Sequence, residues 1–320
     1  MRRTSFIVGP TAAGKSELAT DVAQEIDAEI VSADAFQIYR GLDLLTAKPE
    51  RSTLAKAPHH LIGAVSLSEE MNAEKFRRFA TRAIEEINSR GKLAIVVGGS
   101  GLYTRALIHG LAPLPEPDPE LRSKLNAMSL DGLRSHLSEL DPETAEKIDL
   151  KNRRRLTRAL EICLLTGKPV SASWAVAASL CEAQRADVKP SQGHASHSEA
   201  ATGVFVFRDR EELYERINQR VETIFERGVI EEVRAVGITS ATASRMIGLR
   251  EIREFIAGKK SLPQCIAEIQ QATRRYAKRQ LTWFRRQTTF LPLNLSFLTH
   301  NEAVKWISLR ILSEAGTRDD

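Results

Sequence analysis

The sequence predicts an α/β protein, a parallel sheet flanked by helices, interrupted by a mostly helical insertion. Three observations carry this prediction. The octapeptide Gly9-Pro10-Thr11-Ala12-Ala13-Gly14-Lys15-Ser16 follows the apolar run Ser5-Phe6-Ile7-Val8 and precedes Leu18, Val22 and Ile26 at helical spacing. Short apolar runs then alternate with helical patterns as far as Gly98. Beyond them the alternating prolines Pro113, Pro115, Pro117 and Pro119 form a semi-rigid connector, because they continue neither a helix nor a central strand.

The octapeptide has the G-x-x-x-x-G-K-[ST] spacing of a phosphate-binding loop set between strand and helix, which makes the core P-loop NTPase-like. Gly9 and Gly14 allow a tight turn, so that successive N–H groups point at one oxyanion. Lys15 adds a full positive charge, the helix N-terminus a partial one, and Ser16 a hydroxyl that can ligate Mg2+. The loop binds a polyphosphate, whose identity the motif leaves open.

The next strand, Ala28-Glu29-Ile30-Val31-Ser32, ends at Asp34. Ligands of an open parallel sheet sit beyond the carboxyl ends of its strands, so Asp34 should face the loop. A turn or N-cap role is the alternative. A third strand, Leu93-Ala94-Ile95-Val96-Val97, runs into Gly98-Gly99-Ser100-Gly101, where a P-loop NTPase often carries a Mg2+-holding Asp. Its absence speaks against an ATP-hydrolysing motor and leaves Asp34 as the candidate carboxylate beside the phosphates. Between these strands, His59 and His60 have no carboxylate at metal-ligand spacing and read as a hydrogen-bonded loop pair.

After the connector, residues 120–140 and 142–166 read as two amphipathic helices. The second carries Lys151-Asn152-Arg153-Arg154-Arg155-Leu156-Thr157-Arg158, a basic cluster that by itself reads as a solvated face. Residues 174–203 turn to Ala, Ser, Gln, Gly and His with little periodicity and read as a mobile loop, with His194 and His197 facing solvent. The expected organisation is a discontinuous core of residues 1–112 and 203–320 around an insert of residues 113–202. In the second part of the core, Val204-Phe205-Val206-Phe207 resumes as a strand, and helices are expected at 211–226, 230–236, 246–257 and 263–284.

The last of these helices carries Arg274, Arg275, Lys278, Arg279, Arg285 and Arg286, with Tyr276, Trp283 and Phe284 among them and no acid from Thr273 to Phe290. Steps of four and seven place the basic residues on two adjacent stripes. Such a face suits an RNA backbone with unstacked bases. A merely soluble basic helix is the alternative, and Arg274 and Arg279 could equally point toward the polyphosphate.

Composition sets outer limits. A chain of 320 residues with 42% hydrophobic residues can bury a sizeable core. Cys163, Cys181 and Cys265 lie far apart without a CxxC pair, which indicates neither a disulfide framework nor a zinc site. No apolar run approaches ~18 residues and no secretory h-region is seen, so a cytosolic protein without a membrane span is expected.

The motifs occur together in a recognisable order. They are Gly9-Pro10-Thr11-Ala12-x-Gly14-Lys15-Ser16, Ser32-Ala33-Asp34-x-x-Gln37-x-Tyr39, Thr46-Ala47-Lys48-Pro49, Pro58-His59-His60-Leu61 and Gly98-Gly99-Ser100-Gly101-Leu102-Tyr103. Arg158-Ala159-Leu160-Glu161, Asp209-Arg210, Arg216-Ile217-Asn218-Gln219-Arg220-Val221 and the run from Thr273 to Arg285 follow. Over almost its whole length the chain resembles the tRNA dimethylallyltransferase, or tRNA isopentenyltransferase, family. It departs from that pattern at Ala35, Leu45 and Leu249, where the family usually has Ser, Gly and Tyr.

The resemblance implies that the loop residues Gly9 to Ser16, with Arg220, hold the diphosphate of dimethylallyl diphosphate. The dimethylallyl group would pass to the exocyclic amine of the adenosine on the 3′ side of the anticodon. It implies Asp34 as the base that takes the amine proton, Thr11 beside the transferred group, and Mg2+ as cofactor. Implied contacts with the tRNA anticodon stem-loop are Asp34, Ala35, Phe36, Gln37, Ser100, Arg122, Arg154, Arg155, Leu156, Thr157 and Arg158. Further implied contacts are Arg245, Met246, Ile247, Gly248, Leu249, Arg250, Lys278, Arg279, Gln280, Leu281, Thr282, Trp283, Phe284 and Arg285. A monomer is expected. The rival readings are a small-molecule P-loop kinase and a non-catalytic RNA-binding ATPase, neither of which produces a prenylated RNA.

Overall fold

Strand β1 (Thr4–Val8) is buried at all five residues and ends in the apolar run Phe6-Ile7-Val8, the pattern of a central parallel strand. In the computed structural model, which describes residues 4–111, 114–172, 202–287 and 290–316, it lies between β4 (Ala94–Gly98) and β5 (Thr202–Phe207). β2 (Glu29–Ser32) and the short β3 (His59–His60) continue the sheet past β4, and β6 (Phe290–Asn294) continues it past β5. The six strands run in the order β3-β2-β4-β1-β5-β6, and all pairings are parallel. The expected α/β architecture is therefore present.

Alternate side chains divide the core between the two faces of the sheet. Phe6, Val8, Val31 and Val96 join one apolar cluster, and Ile7, Ile30, Ile95 and Val97 the other. Helix α1 (Lys15–Glu25) and the C-terminal α13 (His300–Gly316) supply Leu18, Val22, Val304 and Ile307 to the second cluster. Helices α3 (Ala73–Ser89), α4 (Gly101–His109) and α12 (Leu262–Phe284) supply Phe76, Tyr103, Ile269 and Phe284 to the first. The start of α12 is fixed by a reciprocal cap, in which Ser261 accepts from Gln264 N while Gln264 Oε1 accepts from Ser261 N at 3.0 Å.

The described residues fall into two compact units, one drawn from Met1–Gly110 and His197–Asp320, the other from Leu111–Ser196. The second unit has its own core of Leu125, Leu133, Leu137, Leu156, Leu160 and Cys163. The two helices expected in it are four: α5 (Pro119–Ala127), α6 (Leu130–Leu140), α7 (Pro142–Lys147) and α8 (Arg153–Thr166). The breaks are made by side-chain caps. Ser129 accepts from Gly132 N, Asp141 from Thr144 N and Asn152 from Arg155 N, each starting a new helix.

Two further boundaries differ from expectation. Gly203 belongs to β5 rather than to a loop, and a Cβ there would stand 2.6 Å from both the Cβ and the carbonyl oxygen of Phe6, so the strands approach closely only because residue 203 is glycine. His59 and His60 lie on the edge strand β3 rather than in a loop. The rest of the segment expected to be mobile, with Cys181, His194 and His197, lies outside the described residues, as does Pro113. Among the described residues, no helix is long and apolar enough to cross a membrane.

Candidate active site at the phosphate loop

β1 ends at Val8, and the chain doubles back before α1 begins at Lys15. A Cβ on residue 9 would stand 2.0 Å from the carbonyl oxygen of Val206, so the close approach of β5 requires glycine there. Gly14 adopts φ +95° at the N-cap of α1, a conformation that glycine takes without strain. Ala12 is left-handed as well, at φ 65°, despite its Cβ. A residue of that kind persists where its surroundings hold it, and here Arg216 Nε donates to the Ala12 carbonyl at 3.0 Å.

Arg216 is one of three guanidinium groups around the loop. Arg208 Nε donates to the Ala13 carbonyl at 3.1 Å, and Arg220 donates to the Thr11 hydroxyl at 2.9 Å. Arg216 and Arg220 are four residues apart on α9 (Arg210–Glu226), hence on one face, and Arg208 directly follows β5. Inside the loop, Lys15 Nζ donates to the Pro10 carbonyl at 2.7 Å. Burial lowers the Lys15 ammonium to about 8, with Asp34 pulling it up and Arg220 pushing it further down. Burial lowers Arg220 as well, against the pull of Asp34, and Arg216 is lowered by burial and by Arg208. Cations crowded together and drawn out of water are mutually unfavourable, and a bound polyanion relieves that cost. Of the three arginines, the sequence reading placed only Arg220 at the phosphates. The signals for the others were the four-residue step from Arg216 to Arg220 and the position of Arg208 beyond the strand next to β1.

Asp34 lies beyond the end of β2, and its Oδ1 accepts from Phe36 N at 2.9 Å and Gln37 N at 3.2 Å. It thus fills the turn role that was the alternative reading, and it also lines the cleft with Thr11, Lys15 and Arg220. The glycines after β4 have separate causes. A Cβ on Gly98 would stand 2.3 Å from the Ala33 carbonyl oxygen, one on Gly99 2.2 Å from Gln280 Nε2, and one on Gly101 2.5 Å from the Trp283 ring. These glycines admit the Ala33 backbone and the Gln280 and Trp283 side chains where a P-loop NTPase often carries its carboxylate.

Gln280, only 5% exposed, joins the two turns. Its Oε1 accepts from Thr11 N at 2.8 Å and its Nε2 donates to the Gly99 carbonyl at 2.8 Å. Gln280→Ala leaves both backbone groups unpaired and is expected to cost about 2–4 kcal/mol of stability, together with a loss of diphosphate affinity. Urea denaturation and a diphosphate titration check this. Wild-type values in both would show that the amide does not hold the loop.

The cleft has a volume of about 930 Å3 and is bounded on one side by the loop and Ser16 and on the other by Thr46-Ala47-Lys48-Pro49. Lys48 Nζ is engaged by the Tyr39 and Gly41 carbonyls at 2.6 and 3.0 Å and by Asp43 at 2.6 Å, so its charge holds this wall together. A smaller chamber adjoins Thr11, Asp34 and Arg220, with Phe36, Leu44, Leu45, Ile224, Ile247 and Ile269 in its walls. Tyr276 also lines it, and burial, aided by Asp34, pushes its hydroxyl up, so that it stays protonated.

Away from the cleft, the histidine pair has protein partners. His59 Nδ1 lies 2.7 Å from the Ala57 carbonyl and its Nε2 3.2 Å from the Thr20 hydroxyl, while His60 Nε2 lies 2.7 Å from Glu29. Among the described residues, no three or more His, Cys, Asp or Glu gather as a metal cluster.

The residues suggested as RNA contacts divide by exposure. Arg245, Arg250, Lys278, Arg279, Thr282 and Arg285 are exposed, as are Arg154 and Arg155 in the second unit. Arg279 lies over the Tyr276 ring and Arg285 over the Phe207 ring, at 5.7 and 5.8 Å from the centroids. Ala35, Phe36, Gln37, Ser100, Ile247, Leu281 and Trp283 are partly buried. Leu156, Thr157, Met246, Gly248, Leu249, Gln280 and Phe284 are buried. Leu156, Met246, Leu249 and Phe284 belong to the apolar cores, and Gln280 turns inward to the phosphate loop, because a contiguous run on a helix turns every third or fourth residue inward. Arg274 donates to Asn218 Oδ1 at 2.6 Å, and neither Arg274 nor Arg279 is among the residues that line the cleft. In the second unit, Arg122 and Arg158 converge on the fully buried Glu161 at 2.5 and 2.6 Å.

Comparison with known proteins gives a consistent result. A family model described as IPP transferase matches residues 37–287. tRNA dimethylallyltransferase 1 of Citrifermentans bemidjiense is 46% identical over 86% of this chain and 87% of its own length. The tRNA dimethylallyltransferase of Akkermansia muciniphila is 40% identical over 98% of this chain and 99% of its own. Among solved structures, the full-length tRNA isopentenylpyrophosphate transferase of Bacillus halodurans aligns over 100% of this chain and 98% of its own, with a TM-score of 0.71 and 31% identity. A eukaryotic dimethylallyltransferase acting on tRNA aligns with a TM-score of 0.75 and 25% identity, covering 97% of this chain and 80% of that one.

Proposed function

The chain belongs to the tRNA dimethylallyltransferase (IPP transferase) family, and we propose that it acts on the adenosine 3′ to the anticodon. In this reading the dimethylallyl group of dimethylallyl diphosphate passes to the exocyclic amine of that base, and diphosphate is released. The observation that carries the reading is that a polyphosphate loop, one carboxylate and an apolar chamber all meet at Thr11, Asp34 and Arg220.

The chemistry divides among these parts. The allylic C–O bond breaks as the C–N bond forms, so negative charge grows on the leaving diphosphate. The loop N–H groups, Lys15 and Arg220 are suited to receive it. An adenine amine is a weak nucleophile until it loses its proton, and Asp34 is the group assigned to take it. The hydrocarbon end is assigned to the apolar chamber, beside Thr11. Ser16 is a hydroxyl ligand of the kind that Mg2+ combines with substrate phosphate oxygens and water, so the loop fits that ion. Bound there, Mg2+ would offset charge on the leaving group. The target base is extruded from its loop to reach the cleft.

The exposed Arg245, Lys278, Arg279 and Arg285, with Arg122, Arg154, Arg155 and Arg158 of the second unit, are assigned to the anticodon stem-loop. The enzyme is assigned to the cytoplasm and to a monomeric state. The test is to incubate the protein with undermodified tRNA, Mg2+ and labelled dimethylallyl diphosphate or labelled ATP. Label from the allylic diphosphate should enter the RNA. Phosphate transfer from ATP to a small acceptor would instead make the protein a kinase, and RNA binding without a covalent change would make it a binding ATPase.

The RNA assignment makes a separate prediction. Arg285→Ala/Arg286→Ala should lower the slope of log affinity for tRNA against log salt by up to about one per lost phosphate contact, leaving diphosphate affinity unchanged. Arg220→Ala should impair diphosphate binding and leave the tRNA salt slope alone. A salt series on both variants, with parallel diphosphate titrations, checks the pair. Wild-type tRNA affinity and slope in the double variant would make this end of α12 a solvated face.

A further inference from the structure

In the second unit a charged group sits where packing alone has no use for it. Glu161 is fully buried on α8, the helix that supplies Leu156, Leu160 and Cys163 to that unit's core. Its Oε2 accepts from Arg122 Nη2 of α5 at 2.5 Å and from Arg158 Nη1, three residues earlier on α8, at 2.6 Å. Its Oε1 has no hydrogen-bond partner among the described residues. The two guanidinium groups therefore stand side by side on a single oxygen. A hydrophobic side chain of similar size would fill the same space without the cost of drawing a carboxylate out of water.

The arginines stay accessible. Their side chains are 36% and 30% exposed, for Arg122 and Arg158 respectively. Arg158 is fixed a second time, since its Nη2 donates to the Pro115 carbonyl at 2.7 Å. A guanidinium carries more N–H donors than these bonds use, in a rigid fork that matches phosphate oxygens. Two cations on one carboxylate leave a net positive charge, and the exposed Arg154 lies one turn before Arg158 on the same face of α8.

We infer that Glu161 is a positioning residue for RNA, presenting Arg122 and Arg158 as a preset pair to phosphate oxygens of the anticodon stem-loop. The inference rests on the assignment of those two arginines to the tRNA. A free arginine side chain must give up its rotamer freedom on binding, whereas a pair held by Glu161 has given it up in folding. A role in merely offsetting charge has the opposite sign. Removing a carboxylate of that kind would add net positive charge and tighten RNA binding.

The experiment measures tRNA affinity across a salt series for wild type, Glu161→Met, Arg122→Gln/Arg158→Gln and the triple variant, with diphosphate titrations in parallel. Methionine nearly matches glutamate in length, and the partly exposed guanidinium groups can rehydrate. Glutamine at the arginine positions can still donate to the buried carboxylate. Glu161→Met should weaken tRNA binding at least about fivefold despite its extra positive charge, because binding must then order two long side chains. The arginine double variant should lower the salt slope by up to about one per lost phosphate contact. The triple variant should bind no more weakly than the double one, since Glu161 acts through the two arginines. Diphosphate affinity should stay at the wild-type value throughout, because the phosphate loop belongs to the other unit.

Glu161→Met that binds tRNA as tightly as wild type, or more tightly, would overturn the inference. A triple variant weaker than the double one would also overturn it, and would make Glu161 a structural residue only. Wild-type affinity and slope in the double variant would overturn it through the RNA assignment of the pair, and a wild-type protein that binds no tRNA would overturn the functional reading itself. Thermal melts establish which variants fold. Glu161→Leu replaces Glu161→Met, and the single arginine variants replace the double one, where either does not.

Discussion

Asp34→Asn is expected to retain binding of both substrates while losing about 10²–10⁴-fold in single-turnover transfer, the range for a missing general base. Asparagine is the informative replacement because its side-chain oxygen can still accept from Phe36 N and Gln37 N, the two bonds that shape the turn. What it loses is the basic lone pair and the negative charge. The charge has a second effect, since Asp34 pulls the Lys15 pKa upward and its removal lowers that pKa further. At pH 8 the free variant would therefore combine a missing base with a lysine less charged than in the wild type. More of the lysine is charged near pH 7 than at pH 8, so the measurement belongs there. Transfer at the wild-type rate under those conditions would show that Asp34 shapes the turn and takes no proton.

The phosphate loop was legible because its information is local: a strand, a turn and a helix within some twenty residues, two of them glycines that the turn requires. Asp34 was legible for the related reason that topology fixes which end of a parallel strand faces the ligand. Arg208 and Arg216 were harder to see. They reach the loop from β5 and α9, and β5 joins β1 only after the whole inserted unit has intervened in the sequence. Gln280 was hidden differently. It lies in a run of basic and aromatic residues that reads as one RNA-facing surface, yet it is the inward member that ties Thr11 to Gly99. The helical period could have separated it from Lys278 and Arg279, as it could have separated Leu156 and Thr157 from Arg154 and Arg155. In the insert, the break at Asp141 was legible, but apolar periodicity survived across Ser129 and Asn152, and the caps that break the helices there are single side chains that periodicity does not register. β6 carries Pro292 within a five-residue strand, a composition that argues against a strand until its edge position is known.

Lys15 supplies the other large effect. Burial depresses its ammonium to about 8, and in the free protein Asp34 is the group that offsets this while Arg220 reinforces it. Below pH 8 the lysine is charged before the diphosphate arrives. Above pH 8 the free protein holds it neutral, and binding must draw a proton from solvent because the new negative charge raises its pKa. Affinity for the diphosphate should therefore weaken as pH rises from 8 toward 9.5, approaching tenfold per unit. Other groups near the loop do not imitate this behaviour. Arg216 and Arg220 keep their charge, since a guanidinium is not deprotonated in proteins, and Tyr276 is pushed upward, away from this range. Phosphate oxygens with a second pKa near 6 are already ionised. Lys15→Met should abolish the pH dependence and, at pH 7.5, slow transfer by about 10²–10³-fold, the loss typical of one preorganised group facing a growing negative charge. Diphosphate titrations across pH 7–9.5 with both proteins, together with single-turnover transfer at pH 7.5, decide the matter. A variant that kept the wild-type pH profile would assign the titration to another group. Unchanged transfer would mean that Lys15 only braces the loop through the Pro10 carbonyl.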